Sequence, residues 1–105
     1  MDRPGASRAL PKPAARVLTE RESVGGWRYE VLILWPDGAE TAHDVTLGWR
    51  DHDYWCGGAS APSRVVQSVV EYVLDHWDGE IPPRFDAARV RRWLPRIDEE
   101  LRGTI

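Results

Sequence analysis

Apolar and polar positions alternate along residues 27–35, which is the clearest strand signal in the chain. One face carries five bulky residues, Trp27, Tyr29, Val31, Ile33 and Trp35. Aromatic and β-branched side chains of this kind suit a pleated sheet. The turn signal Pro36-Asp37-Gly38 follows, because Pro presets φ and Gly tolerates a positive φ. The pattern therefore predicts a strand that leads into a β-hairpin.

A second alternating stretch, residues 39–47, predicts the returning strand of this hairpin. Gly48 interrupts the alternation, as a bulge or bend would. Residues 49–56, with the sequence WRDHDYWC, alternate again before Gly57-Gly58. This stretch predicts a third strand or an extension of the second.

The pattern changes to a helical period over residues 60–79. One continuous stripe contains Val65, Val66, Val69, Val70, Val73, Leu74 and Trp77. Ser60 is the predicted N-cap, Pro62 suits the first turn, and Gly79 is the predicted stop. Valine is a poor helix former, so this helix must depend on packing against the sheet for its stability.

Two short helical segments are predicted after the Pro82-Pro83 break. Asp86 is the expected N-cap of a helix over about 87–94. Pro95 interrupts the helical pattern, since it lacks an N–H and clashes with the preceding turn. A restart that runs to about Leu101 is therefore expected.

This order of elements predicts an α+β fold. We expect a small two-layer domain in which an antiparallel hairpin or meander of two to three strands packs against one long helix, followed by short C-terminal helices. Residues 17–105 would form that single domain. Residues 1–16, rich in Pro, Ala and Arg, are predicted to be a disordered basic arm.

The C-terminal part of the chain resembles a group of small uncharacterised bacterial proteins. The matching residues are Phe85-Asp86, Trp93-Leu94-Pro95 and Glu99-Glu100, and the resemblance covers roughly residues 60 to 102. It implies strands followed by a long helix and a capped C-terminal segment. It implies no activity.

Charge and composition narrow the possible partners. The net charge is −3; the arm carries +3, which leaves −6 on residues 17–105. An acidic body argues against bulk binding to nucleic acid or anionic lipid. No apolar run approaches the ~20 residues of a membrane span. Cys56 is the only cysteine and the N-terminus lacks a secretory signal, so we expect a cytoplasmic protein with no membrane partner.

The six tryptophans give the first functional hypothesis. A chain of 105 residues can hardly bury all six, and exposed aromatic side chains mark partner surfaces. We therefore expect a non-enzymatic module that binds a protein partner or a second copy of itself through a Trp-lined sheet face. The predicted partner-binding residues are Trp27, Trp35, Trp49 and Trp55.

An arginine cluster gives a second hypothesis. Five arginines lie between Arg84 and Arg96. On one continuous helix, Arg89, Arg92 and Arg96 would share a side and could bind phosphates. The chain would then be a small nucleic-acid-associated regulator, similar to an antitoxin. The same arginines could equally pair with carboxylates along the helix.

A third hypothesis is a small thiol enzyme centred on Cys56, with His52 and Asp53. A thiol near the N-terminus of the following helix would be activated as a nucleophile. Free cysteine is, however, more often a small buried apolar residue. The spacings C-x-x-C and H-E-x-x-H do not occur, so we expect neither a metal nor a cofactor. The sequence favours a protein that is not an enzyme.

Overall fold

The computed structural model describes residues 12–105, and over that range it shows an α+β fold. Residues 1–11, most of the predicted arm, lie outside the described residues. The strands are β1 (Ala14–Ser23), β2 (Gly26–Leu34), β3 (Glu40–Gly48) and β4 (Arg84–Asp86). The helices are α1 (Trp49–Cys56), α2 (Pro62–His76), a 3-10 turn (Ala87–Arg89), α3 (Val90–Trp93) and α4 (Ile97–Leu101).

The four strands form one mixed sheet in the order β1-β2-β3-β4. The first three strands are antiparallel neighbours, whereas β3 and β4 are parallel. The parallel pair requires a crossover, which α1 and α2 supply. The predicted α+β class is confirmed. The predicted detail differs, because the sheet has a fourth strand and the long helix has 15 residues and is one of several.

Two strands, β1 and the short β4, were not predicted from the sequence. Strand β1 begins at Ala14, so it includes residues 14–16 of the predicted arm. A two-residue turn joins it to β2, with Ser23 paired to Gly26 and Gly25 at φ 79°. Gly25 takes a left-handed backbone conformation that residues with a side chain rarely adopt.

The prediction of a strand over residues 49–56 was wrong, since this segment is helix α1. The reason lies in the register: Gly48 at the end of β3 pairs with Gly26, the first residue of β2. Residues beyond Gly48 therefore have no strand to pair with. Gly57 ends the helix in a left-handed conformation at φ 62°, and its N–H donates to the Asp53 carbonyl at 2.6 Å.

The core lies between the sheet and α2. Five valines of the predicted stripe are at most 1% exposed, namely Val65, Val66, Val69, Val70 and Val73. They pack with Tyr29, Val31 and Ile33 of β2 in the same cluster. The predicted contact between the valine stripe and the sheet is confirmed. The helix starts after Ala61 rather than Ser60 and ends at His76, before the predicted stop at Gly79.

The C-terminal segment follows the predicted cap and restart. Asp86 accepts a hydrogen bond from the Ala88 N–H at 3.0 Å, which caps the 3-10 turn. Helix α3 ends at Trp93, and α4 begins at Ile97 beyond Pro95. The buried side chains of Ile97 and Leu101 attach α4 to the core.

Within residues 12–105, no helix combines the length and the apolar character that crossing a membrane requires.

Candidate functional site

The sheet has one face that packs against the helices and one that does not. Side chains alternate along a strand, so the residues between the buried positions of β2 and β3 point away from α2. Arg28 and Glu30 on β2 and Ala42 on β3 are exposed there. We call this surface the open face. It is the candidate site.

Two rows of polar side chains cross the open face in register. The first row, from β1 to β4, is Arg21, Arg28, Thr46 and Asp86. The second row is Thr19, Glu30, Asp44 and Arg84. A concavity of about 440 Å³ lies over these rows, and three arginines line it: Arg21, Arg28 and Arg84. This volume is within the range of small-ligand pockets.

Arg21 and Arg28 are directly opposite each other on neighbouring strands. Like charges in this position destabilise a sheet. Both side chains are exposed, and the side chain of Arg21 has no ion pair or hydrogen bond with any residue in 12–105. The pair therefore carries a repulsion that no contact of Arg21 offsets in this part of the chain.

Arg28 forms an ion pair with Asp44 on the neighbouring strand β3. Its Nε lies 3.4 Å from Asp44 Oδ1, across the diagonal between β2 and β3. That oxygen is buried and accepts no hydrogen bond from the described residues, so the charge contact with Arg28 is its main compensation. The ion pair with Asp44 is the contact recorded for the Arg28 side chain within residues 12–105, and that side chain is about half exposed. The Arg28 side chain is thus partly available to a ligand.

Arg84 lies on the open face because the residues before and after it in the chain hold β4 in place. Phe85 is buried, so Arg84 and Asp86 alternate outward. Asp86 is already used, since it caps the 3-10 turn and accepts from the Thr46 hydroxyl at 2.6 Å. Arg84 has no such partner among the described residues.

A buried histidine fixes the entry to β4. His43 Nδ1 lies 2.7 Å from the Pro82 carbonyl, and its Nε2 lies 2.8 Å from the Thr41 hydroxyl. A carbonyl only accepts, so Nδ1 carries the proton and Nε2 accepts from Thr41. Trp35 Nε1 donates in turn to Thr41 at 2.8 Å. His43 therefore positions the residues that precede Arg84.

The four predicted partner-binding tryptophans do not form one exposed surface. Trp27 and Trp35 are half-buried against the core on the covered side of the sheet. Trp55 is 1% exposed, whereas Trp49 is 61% exposed. The Trp49 N–H donates to the Gly25 carbonyl at 2.9 Å, which places Trp49 beside the β1–β2 turn. Trp49 is the member of this set most available to a partner.

The predicted thiol site is placed on α1. His52 and Cys56 are one helical turn apart, but both are directed to backbone carbonyls. His52 Nε2 lies 2.7 Å from Ser60 O, and Cys56 Sγ donates to His52 O at 3.3 Å. Asp53 is exposed. Cys56 is the last residue of α1 and does not lie at the N-terminus of α2, which begins at Pro62.

The predicted phosphate-binding arginines lie on separate segments. Arg89 belongs to the 3-10 turn and Arg92 to α3, and both are exposed. The chain leaves the helix at Leu94, so Arg96 stands at the start of α4. Arg96 faces Glu100 at 3.3 Å. The three side chains therefore do not form the continuous helical stripe that the spacing suggested.

Arg91, from the same cluster, joins three helices. Its guanidinium contacts Asp51 at 2.8 Å and Asp98 at 2.9 Å, and lies 4.6 Å from the Trp55 ring centroid. Trp55 Nε1 also donates to Asp98 at 2.8 Å. Partial burial lowers the pKa of Arg91, but the hydrogen bonds to both carboxylates outweigh it and the net pKa is raised. This network holds α1 against α3 and α4.

The sequence analysis missed the arginines of the open face. Arg21 and Arg28 are seven residues apart and were not compared, because residues 17–26 were not assigned to a strand. The Gly25-Gly26 pair before β2 was the signal that could have revealed the hairpin. Among residues 12–105, no three His, Cys, Asp or Glu side chains converge as a metal site would require.

Comparison with family models, with curated proteins and with solved structures gives no match to this chain.

Proposed function

We propose that this chain is a non-enzymatic binding module, and that the open face binds an acidic segment of a partner protein. The proposal keeps the interaction module expected from the sequence. It moves the binding surface from the tryptophans to the arginines of the sheet.

The observation that carries the proposal is the opposed pair Arg21 and Arg28. A like-charge pair across two strands opposes folding. Its presence on a concave surface is accounted for if an anionic group binds between the two guanidiniums. Arg84 adds a third positive charge to the same concavity.

Local charge favours a short acidic segment over a long polyanion. The rest of the open face contains Glu30 and Asp44, and residues 17–105 carry −6. A nucleic acid that extended beyond the three arginines would meet this negative charge. The separate positions of Arg89, Arg92 and Arg96 give further reason to prefer a protein partner.

The thiol-enzyme alternative has less support from the geometry. The Cys56 thiol and the His52 ring each contact a backbone carbonyl. A general base would have to contact the thiol to activate it.

A titration with a defined acidic peptide tests the proposal. The full-length chain, labelled with ¹⁵N, is titrated with a peptide of ten glutamates, and a peptide of ten glutamines is the control. We expect amide shifts at Arg21, Arg28 and Arg84 with the acidic peptide. Shifts should be absent with glutamine, and they should weaken as salt is raised.

Shifts confined to α1 or α2, or no shifts at all, would contradict the proposal. A homodimer in light scattering whose interface contains the open face would also contradict it, since the surface would then serve self-association.

A further inference from the structure

We propose that Arg21, Arg28 and Arg84 bind a single phosphate monoester group, carried by a phosphorylated side chain of the partner. This inference rests on the proposed function and names the chemical group that the open face selects.

Three arginines from three strands line one concavity. Arg28 lines the concavity while its Nε contacts Asp44 Oδ1 at 3.4 Å, and its side chain is about half exposed. Arg21 stands opposite on β1, and Arg84 approaches from β4. Each guanidinium presents a planar set of N–H donors and has no acceptor of its own. The arrangement therefore offers donors from three directions.

A phosphate monoester fits this donor set better than a carboxylate. It has three terminal oxygens and carries about −1.5 to −2 charges near neutral pH, so one oxygen is available to each guanidinium. A carboxylate has two oxygens and one charge. Bidentate contacts from arginine to phosphate are among the stronger hydrogen bonds in proteins. Recognition of phosphorylated segments by arginine clusters is a common mode of peptide binding.

The surroundings restrict the ligand to one localised phosphate. Glu30 and Asp44 lie in the same row as Arg84, next to the row that contains Arg21 and Arg28. A second phosphate placed next to the first would be repelled by these carboxylates. The concavity of about 440 Å³ holds a phosphorylated side chain with adjacent backbone. These features favour a phosphopeptide over a nucleic acid.

Three peptides that differ at one position test the inference. Their central residue is phosphoserine, glutamate or serine, with the same flanking residues of alanine and glutamate. We expect the phosphoserine peptide to bind the full-length chain at least about tenfold more tightly than the glutamate peptide. The amide shifts should centre on Thr19, Arg21, Arg28 and Arg84.

Substitutions identify the residues responsible. Arg21→Gln, Arg28→Gln and Arg84→Gln should each remove most of the preference for phosphoserine. Arg92→Gln, an exposed arginine on α3, is the matched control and should leave it unchanged. Dispersed amide spectra establish that each variant is folded.

The outcomes separate this inference from the proposed function. Equal affinity for the phosphoserine and glutamate peptides, with shifts on the open face, overturns the phosphate inference and leaves the proposed function standing. No shifts on the open face with any peptide overturn the proposed function as well.

Binding measurements with two further ligands test whether the phosphate belongs to a protein segment. Inorganic phosphate that binds as tightly as the phosphoserine peptide, or an oligothymidine that binds more tightly, would overturn the assignment to a phosphorylated protein segment.

Discussion

The two sides of the sheet use arginine in different ways. On the covered side, Arg91 contacts two carboxylates and an indole ring, and these contacts join three helices. On the open face, the side chain of Arg21 forms no ion pair or hydrogen bond within residues 12–105, and Arg21 is paired with Arg28 across the strands. The same residue type is thus part of the fold in one place and available to a ligand in the other. The side-chain contacts of each arginine, rather than its exposure alone, distinguish these two roles.

The largest difference in stability between the two faces is expected when lysine replaces one buried and one exposed residue of β3. Val45 is 0% exposed under α2, whereas Ala42 is exposed on the open face. Val45→Lys buries an unpaired charge and should lower the free energy of unfolding by more than about 4 kcal/mol, or prevent folding. Ala42→Lys should change it by less than about 0.5 kcal/mol. Denaturant unfolding of both variants measures the difference.

Similar losses in both variants would show that the open face is covered in solution. Light scattering would show whether a second copy of the chain covers it.

The covered side could be predicted largely from the sequence because its signals are periodic. The valine stripe of α2 and the alternation of β2 each recur over many residues, so one ambiguous position does not change the result. Asp86 and Pro95 mark ends by local chemistry that does not depend on distant contacts. These elements were therefore predicted nearly as they occur.

Helix α1 could not be predicted in the same way. Eight residues fit an alternating or a helical pattern equally well. The contacts that decide between them come from Arg91 and Asp98, about 40 residues later in the chain. The absence of a pairing strand beyond Gly26 depends on register, which the sequence does not state.

The open face was missed for a related reason. A cross-strand pair such as Arg21 and Arg28 exists only once both strands and their register are known. The sequence analysis instead found arginines that are close along the chain, from Arg84 to Arg96. The structure distributes those among a strand, a 3-10 turn and two helices, with different neighbours.

A moderate change in the free energy of unfolding is expected when methionine replaces one arginine on each side of the sheet. Arg91→Met removes the partner of Asp51 and Asp98, and should lower the free energy of unfolding by about 2 kcal/mol, less than for a fully buried pair because Arg91 is partly exposed. Arg21→Met relieves the repulsion with Arg28, and should raise the free energy of unfolding by up to about 0.5 kcal/mol. Chemical denaturation of the two variants provides the measurement.

Equal destabilisation by the two substitutions would remove the distinction between a structural and an available arginine. Arg92→Met, on the same helix as Arg91 but exposed, controls for the change in helix composition. It should alter stability by less than about 0.5 kcal/mol.

The smallest expected effect is a change in stability at high pH, which comes from two tyrosines on the covered side of the sheet. Burial, together with the hydrogen bond to Glu20, raises the pKa of Tyr29. Burial and the 2.7 Å hydrogen bond to Glu100 raise the pKa of Tyr72 from 10.0 to about 12. In both cases folding favours the protonated phenol. Their contribution to stability is therefore complete below pH 10, where the unfolded phenol is also protonated. The contribution of Tyr72 is lost as pH rises through about 12, and that of Tyr29 is lost at higher pH.

The substitution Glu100→Gln isolates the charge from the hydrogen bond in this effect. Glutamine still offers Tyr72 an acceptor but removes the negative charge that opposes ionisation, so the pKa of Tyr72 should fall toward 10.0. Tyrosinate absorbance, recorded against Tyr72→Phe, assigns the titration to this residue. An unchanged titration in Glu100→Gln would mean that burial and the hydrogen bond raise the pKa of Tyr72 without the negative charge. The packing of α2 against α4, with an uncharged acceptor in place, would then be enough to protect this phenol.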